Sequence, residues 1–154
     1  MIHAIHAGQA DQGGYRTKGI VIYGFGGRAI PFSGVVFPGK LNDCSVCHAG
    51  SSYQLTGTWN APTTNGILAN TISTAADPAD PTDNLRITPT AAVCSSCHDS
   101  AETRLHIENP LGSGFGGGNF SATQAEIDTG AQEQCNFCHG PEGPWEVKNV
   151  HGVK

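Results

Sequence analysis

Large aliphatic and aromatic side chains are scarce in this sequence. Leu, Ile, Val and Phe together make up 30 of its 154 residues, just under one fifth. A chain so poor in apolar bulk struggles to bury enough surface to offset the entropy of ordering itself. Long apolar runs are missing as well, and none approaches the roughly 20 residues a membrane-spanning helix requires. Basic residues are few: 8 Lys and Arg against 13 Asp and Glu, for a net charge of −5. Without a basic cluster there is no phosphate-tracking surface, so nucleic acid is excluded as a partner. Blocks of like charge are also absent, which fits badly with a solvated, disordered chain. Residues 1–10 carry neither the basic start nor the continuous apolar stretch of a secretion signal. Methionine occurs once, at Met1. The length suits one domain over residues 1–154. Its interior must be filled by something other than side chains.

What is present instead is glycine, proline, cysteine and histidine, at 21, 9, 6 and 7 residues. All six cysteines fall into three copies of one motif. These are Cys44-Ser-Val-Cys47-His48, Cys94-Ser-Ser-Cys97-His98 and Cys135-Asn-Phe-Cys138-His139. C-x-x-C-H is the haem attachment signature. Its spacing has a mechanical cause: the two thiols add to two vinyl groups on one porphyrin edge. The histidine that follows then sits beneath the ring with a nitrogen aimed at iron. One copy would be a weak signal, but three that use every cysteine are a strong one.

Competing readings fare worse. Zinc knuckles come in twos, whereas here there are three pairs, each followed by His. A thioredoxin-like redox pair needs a βαβ context that is missing. A disulfide within C-x-x-C is tight and staples nothing distant. The run Gly24-Phe-Gly26-Gly-Arg-Ala29 satisfies the dinucleotide pattern G-x-G-x-x-A, with Asp43 downstream. That site requires a helix to begin there, and Pro31 is badly placed for it.

Along the chain, residues 1–8 read as one or two turns of helix ended by Gly8. Residues 19–30 suggest a short strand followed by a glycine turn, and 31–37 alternate loosely up to Pro38-Gly39. Residues 60–90, rich in Thr, Asn, Ala, Asp and Pro, suggest a long surface excursion with little regular structure. A single helix is expected over 91–106, carrying the second motif and ending before Asn109-Pro110. Residues 112–119 are a glycine loop, and Ser121 or Thr123 would cap a helix through Gln134. Residues 140–154, with Pro141 and Pro144, should lie extended. The fold class expected is a mostly irregular multihaem cytochrome c. It has a few short helices, little or no sheet, and haems for a core.

Four histidines remain: His3, His6, His106 and His151. Any one alone would be an ordinary surface or hydrogen-bonded residue. Together they supply a sixth ligand for each of three irons bound by His48, His98 and His139, with one to spare. Coordination by His and Met is excluded in practice, since the only Met is Met1. All three irons are therefore expected to be low-spin and bis-histidine, at low potential. His3 and His6 stand at i, i+3, their rings about 60° apart around a helix, so they reach neighbouring irons and do not flank one.

The order of these motifs resembles a known family. The stretches that carry the likeness begin with Met1-Ile-His-Ala-Ile-His-Ala-Gly8 and Phe37-Pro-Gly-Lys-Leu-Asn-Asp-Cys44-x-x-Cys47-His48. They continue with Ile87-Thr-Pro-Thr-Ala-Ala-Val-Cys94-Ser-Ser-Cys97-His98-Asp-Ser and His106, then Cys135-x-x-Cys138-His139-Gly-Pro and Val150-His151. This pattern is similar to that of the outer-surface decahaem c-type cytochromes of metal-respiring bacteria, the OmcA/MtrC family. The resemblance implies electron transfer to metal oxides or soluble redox shuttles, and other multihaem cytochromes as partners. It also implies an exported chain, at the outer cell surface or else in the periplasm. Family domains hold five haems, and only three motifs occur here, as in the later part of one pentahaem domain. The surplus histidine, His3 or His6, would then serve a haem held by another polypeptide segment. Two alternatives share the haem chemistry: a catalytic multihaem reductase with an open iron, and a subunit of a conducting filament.

Overall fold

A computed structural model of the chain describes residues 2–8, 16–55, 71–72, 85–86, 88–108 and 133–153. The chain divides into two compact units that interleave along the sequence. One takes Met1–Leu41 with Val93–Leu105, the other Asn42–Ala92 with His106–Lys154.

In the first unit, helix α1 covers Ile2–His6 and stops at Gly8, the stop signal read from the sequence. Gly8 is there because of crowding: a Cβ at this position would run into the Phe32 carbonyl. The close approach lets the Gly8 carbonyl accept from the Ile20 N–H at 3.0 Å, while the Ile20 carbonyl accepts from the Phe32 N–H at 2.8 Å. Strands β1 (Val21–Tyr23) and β2 (Ala29–Pro31) then pair antiparallel, with Ile22 opposite Ile30. The return strand was not anticipated. Gly26 and Gly27, at φ 69° and 77°, reverse the chain through a short 3₁₀ turn at Phe25–Gly27. The glycine run that imitates a dinucleotide site is therefore a hairpin turn and starts no helix.

In the second unit, β3 (Thr71–Ile72) and β4 (Leu85–Arg86) form a short antiparallel ladder within the segment expected to lack regular structure. Most of that excursion and the glycine loop at 112–119 lie outside the described residues. So does most of the helix expected to end at Gln134, whose described end, Glu133-Gln134, is not helical.

The helix expected over 91–106 is two helices, α2 (Pro89–Cys94) and α3 (Ala101–Glu108). Side chains break it. Asp99 turns aside to accept three hydrogen bonds from Thr17 and Lys18, and the Ser100 hydroxyl accepts from the Thr103 N–H at 3.2 Å. Ser and Asp compete with the backbone in this manner and start helices better than they continue them. After α4 (Asn136–His139), the tail is not extended, contrary to expectation. Pro141 and Pro144 occupy turns, and α5 (Val147–Val150) follows. The chain then folds back, so that the Val153 N–H donates to the Lys148 carbonyl at 3.0 Å and Val153 is buried. Buried apolar residues among those described are only Ala7, Ala91 and Val153.

Candidate haem centres

The three cysteine motifs adopt one backbone shape. In each, the histidine N–H donates to the carbonyl of the first cysteine, at 2.9 Å for His48, 2.8 Å for His98 and 2.8 Å for His139. The second cysteine N–H points to the same carbonyl, at 3.2, 3.1 and 3.3 Å respectively. This is a single helical turn begun at the first cysteine. A helical turn sets i, i+3 and i+4 on one face, so both sulfurs and the imidazole are presented together. No disulfide joins any of the six cysteines. Among the described residues no three His, Cys, Asp or Glu side chains gather at a common metal position.

Each turn is braced by different neighbours. The first is capped by Asp43, whose carboxylate accepts from the Ser45 N–H at 3.2 Å and the Ser45 hydroxyl at 2.6 Å. Burial, reinforced by the Asp43 charge, pushes the Cys44 thiol up from its ordinary value against its own backbone hydrogen bond. The second turn ends α2, and at its far side Asp99 and Ser96 hold Arg16. The third is tied to Trp145, whose N–H donates to the Cys138 carbonyl at 3.0 Å. Gly140 lets this turn press on residue 55: a Cβ there would stand 2.9 Å from the Leu55 carbonyl.

Several histidine rings are oriented through Nδ1. His139 donates from Nδ1 to the Trp145 carbonyl at 3.0 Å, His151 to the Val147 carbonyl at 3.1 Å, and His6 to the Ile2 carbonyl at 3.0 Å. His48 Nδ1 lies 3.4 Å from the Ser52 hydroxyl. In a neutral imidazole, an Nδ1 proton directed at a carbonyl sets the tautomer whose Nε2 lone pair faces outward, the one that ligates metal.

The second unit also brings two of the candidate ligands together. The rings of His106 and His139 have centroids 6.1 Å apart and planes at 78°. His151 is placed by Asn42, whose side-chain amide donates to the His151 carbonyl at 3.1 Å, two residues before Cys44. His3 and His6 sit in the unit that holds the second turn, with His6 edge-on to Phe37 at 5.7 Å.

These residues fit a covalently bound haem. The donor set is the one its vinyl groups and iron need. Apolar side chains beside the thiols, Val46 at 60 % exposure and Phe137 at 74 %, offer contact to a flat apolar ring. Sequence reasoning did not find Arg16, Asn42, Glu133 or Trp145, each of which acts through partners distant in the chain or through its backbone.

No helix among the described residues is long and apolar enough to cross a membrane. No curated protein and no solved structure matches the chain. The family model described as "Outer membrane cytochrome MtrC/MtrF-like, domains II/IV" matches residues 1–152. With that match running through all three C-x-x-C-H turns and all seven histidines, the chain belongs to the MtrC/MtrF-like family of outer membrane cytochromes.

Proposed function

We propose that this chain holds three c-type haems in a largely haem-filled interior and passes electrons along them toward metal oxides or soluble shuttles outside the cell. Thioethers would form at Cys44 and Cys47, Cys94 and Cys97, and Cys135 and Cys138. His48, His98 and His139 would be the proximal ligands. When bound, each haem supplies one-electron exchange at iron. The protein's part is to fix the spacing of the haems, occupy both axial positions and exclude competing ligands.

The observation that carries this reading is the spacing of His106 and His139. Two imidazoles on opposite faces of one iron, each through a metal–nitrogen bond of about 2 Å, have ring centres about 6 Å apart. The 6.1 Å separation matches that figure. It supports His106 as the distal ligand of the haem at Cys135 and Cys138, leaving His3, His6 and His151 for the other two irons and for a haem held by another polypeptide segment. A haem held by both His139 and His106 would have no position left for a substrate, which favours electron transfer over catalysis there. Other multihaem cytochromes, or further domains of the same one, are the natural partners.

Intact mass under denaturing conditions tests the haem count directly. Three haem masses added to the polypeptide is the expected result. A smaller increment, or cysteines that still react with a thiol reagent, would overturn it.

A further inference from the structure

The turn between Cys94 and Cys97 carries a buried cation from 80 positions earlier in the chain. Arg16 is only 6 % exposed. Its Nε donates to the Lys18 carbonyl at 3.0 Å, its Nη1 donates to the Ser96 carbonyl, and its Nη2 lies 3.5 Å from the Asp99 carboxylate. Ser96 stands between the two cysteines, and Asp99 directly follows His98. The same carboxylate accepts from the Thr17 N–H at 2.7 Å, the Thr17 hydroxyl at 3.0 Å and the Lys18 N–H at 3.2 Å.

We propose that Arg16 is a positioning residue that raises the reduction potential of the haem at Cys94 and Cys97, by setting a buried guanidinium against the turn between its two thioether cysteines. This rests on the haem assignment above. Reduction adds one electron to the iron, and a cation in a poorly screened interior lowers the energy of that added charge. Asp99 opposes the effect. Three hydrogen bonds spread its charge into the 16–18 loop, however, whereas the guanidinium bonds to the attachment turn itself. Arginine suits the task because it stays charged and its planar fork reaches Ser96 and Asp99 together. The first and third turns are braced by a carboxylate and a backbone amide, so the second haem is set apart from them.

The test is a potentiometric titration of the purified holo-protein, followed optically and resolved into one-electron components. The double variant Cys94→Ala/Cys97→Ala identifies the component in question by its loss. Arg16→Met should lower that component alone, by about tenfold in its equilibrium constant for reduction, which is 59 mV for one electron. Asp99→Asn, which keeps an oxygen acceptor for Thr17, should raise the same component. Arg16→Lys, keeping the charge without the fork, should recover part of the loss. Opposite shifts from Arg16→Met and Asp99→Asn are what a purely structural brace would not produce. An unmoved component, or a shift in the same direction from both, overturns the proposal. If Arg16→Met does not fold, the sign of the Asp99→Asn shift decides. Should the double cysteine variant keep every component, the haem assignment itself has failed, and that outcome is distinct.

Discussion

A histidine ligates iron through whichever ring nitrogen lacks a proton, so the group holding the other nitrogen decides its role. In His139 that group is the Trp145 carbonyl, which would leave Nε2 for an iron. His106 faces it at 6.1 Å from the end of a helix begun by Ser100. On this geometry, His106→Ala should convert one haem in three to a high-spin form in the oxidised spectrum, and added imidazole should restore the low-spin bands. A variant with the parental spectrum would make the ring pair an ordinary aromatic contact. At this scale the sequence was informative about identity and silent about pairing. C-x-x-C-H names its own proximal histidine because donor and anchor share one helical turn. A distal histidine comes from elsewhere in the chain, and spacing alone does not say which iron it meets.

Short helices survive only if their ends are looked after, since the first N–H groups of a helix have no partner within it. Helix α2 starts with Pro89, and its next two N–H groups, Thr90 and Ala91, donate to the Glu133 carboxylate at 2.9 and 3.1 Å. A carboxylate at that position also meets the positive end of the helix dipole. Thr88, just before Pro89, is fully buried, and among the described residues its hydroxyl has no hydrogen-bond partner. Two variants should therefore move in opposite directions. Glu133→Ala should cost about 1–2 kcal/mol, the range of a lost cap strengthened by charge. Thr88→Val, which removes a stranded hydroxyl at nearly constant shape, should be neutral or stabilising. Chemical denaturation of both holo-variants would show it, and a destabilised Thr88→Val would mean that its hydroxyl has a partner after all. Ser100 shows how such signals are missed. The helical pattern over 91–106 is continuous by composition, but Asp99 and Ser100 spend their side chains on Thr17, Lys18 and Thr103, and the helix breaks.

For the whole molecule, the deciding quantity is apolar surface that can be taken out of water. Among the described residues, the buried apolar ones, Ala7, Ala91 and Val153, are small, and the larger Ile2, Leu105, Phe137 and Trp145 are exposed. Within the described residues, side chains of this size bury too little to offset about 1–2 kcal/mol of backbone entropy per ordered residue. On the proposed reading, porphyrin faces supply the missing burial. A variant with all six cysteines changed to alanine should therefore show no cooperative thermal unfolding by circular dichroism, while the holo-protein does. A sigmoidal transition in that variant would show that the polypeptide carries a sufficient core of its own.

The sequence by itself determined the three C-x-x-C-H turns, because their residues are contiguous and their geometry is that of one helical turn. The reversal at Gly26-Gly27 also follows from local chemistry, both glycines sitting at positive φ, whereas the Phe32 carbonyl that crowds Gly8 is supplied by the fold. Only the tertiary structure decided which distant groups meet: Arg16 with Ser96 and Asp99, Glu133 with the start of α2, Asn42 with His151, and His106 with His139. Each of those pairings spans more than thirty residues, a separation at which local preference carries no information. For Arg16 and Glu133 what selects the pairing is the satisfaction of a buried charge and of a helix end, a condition imposed by packing and invisible in any short window of sequence.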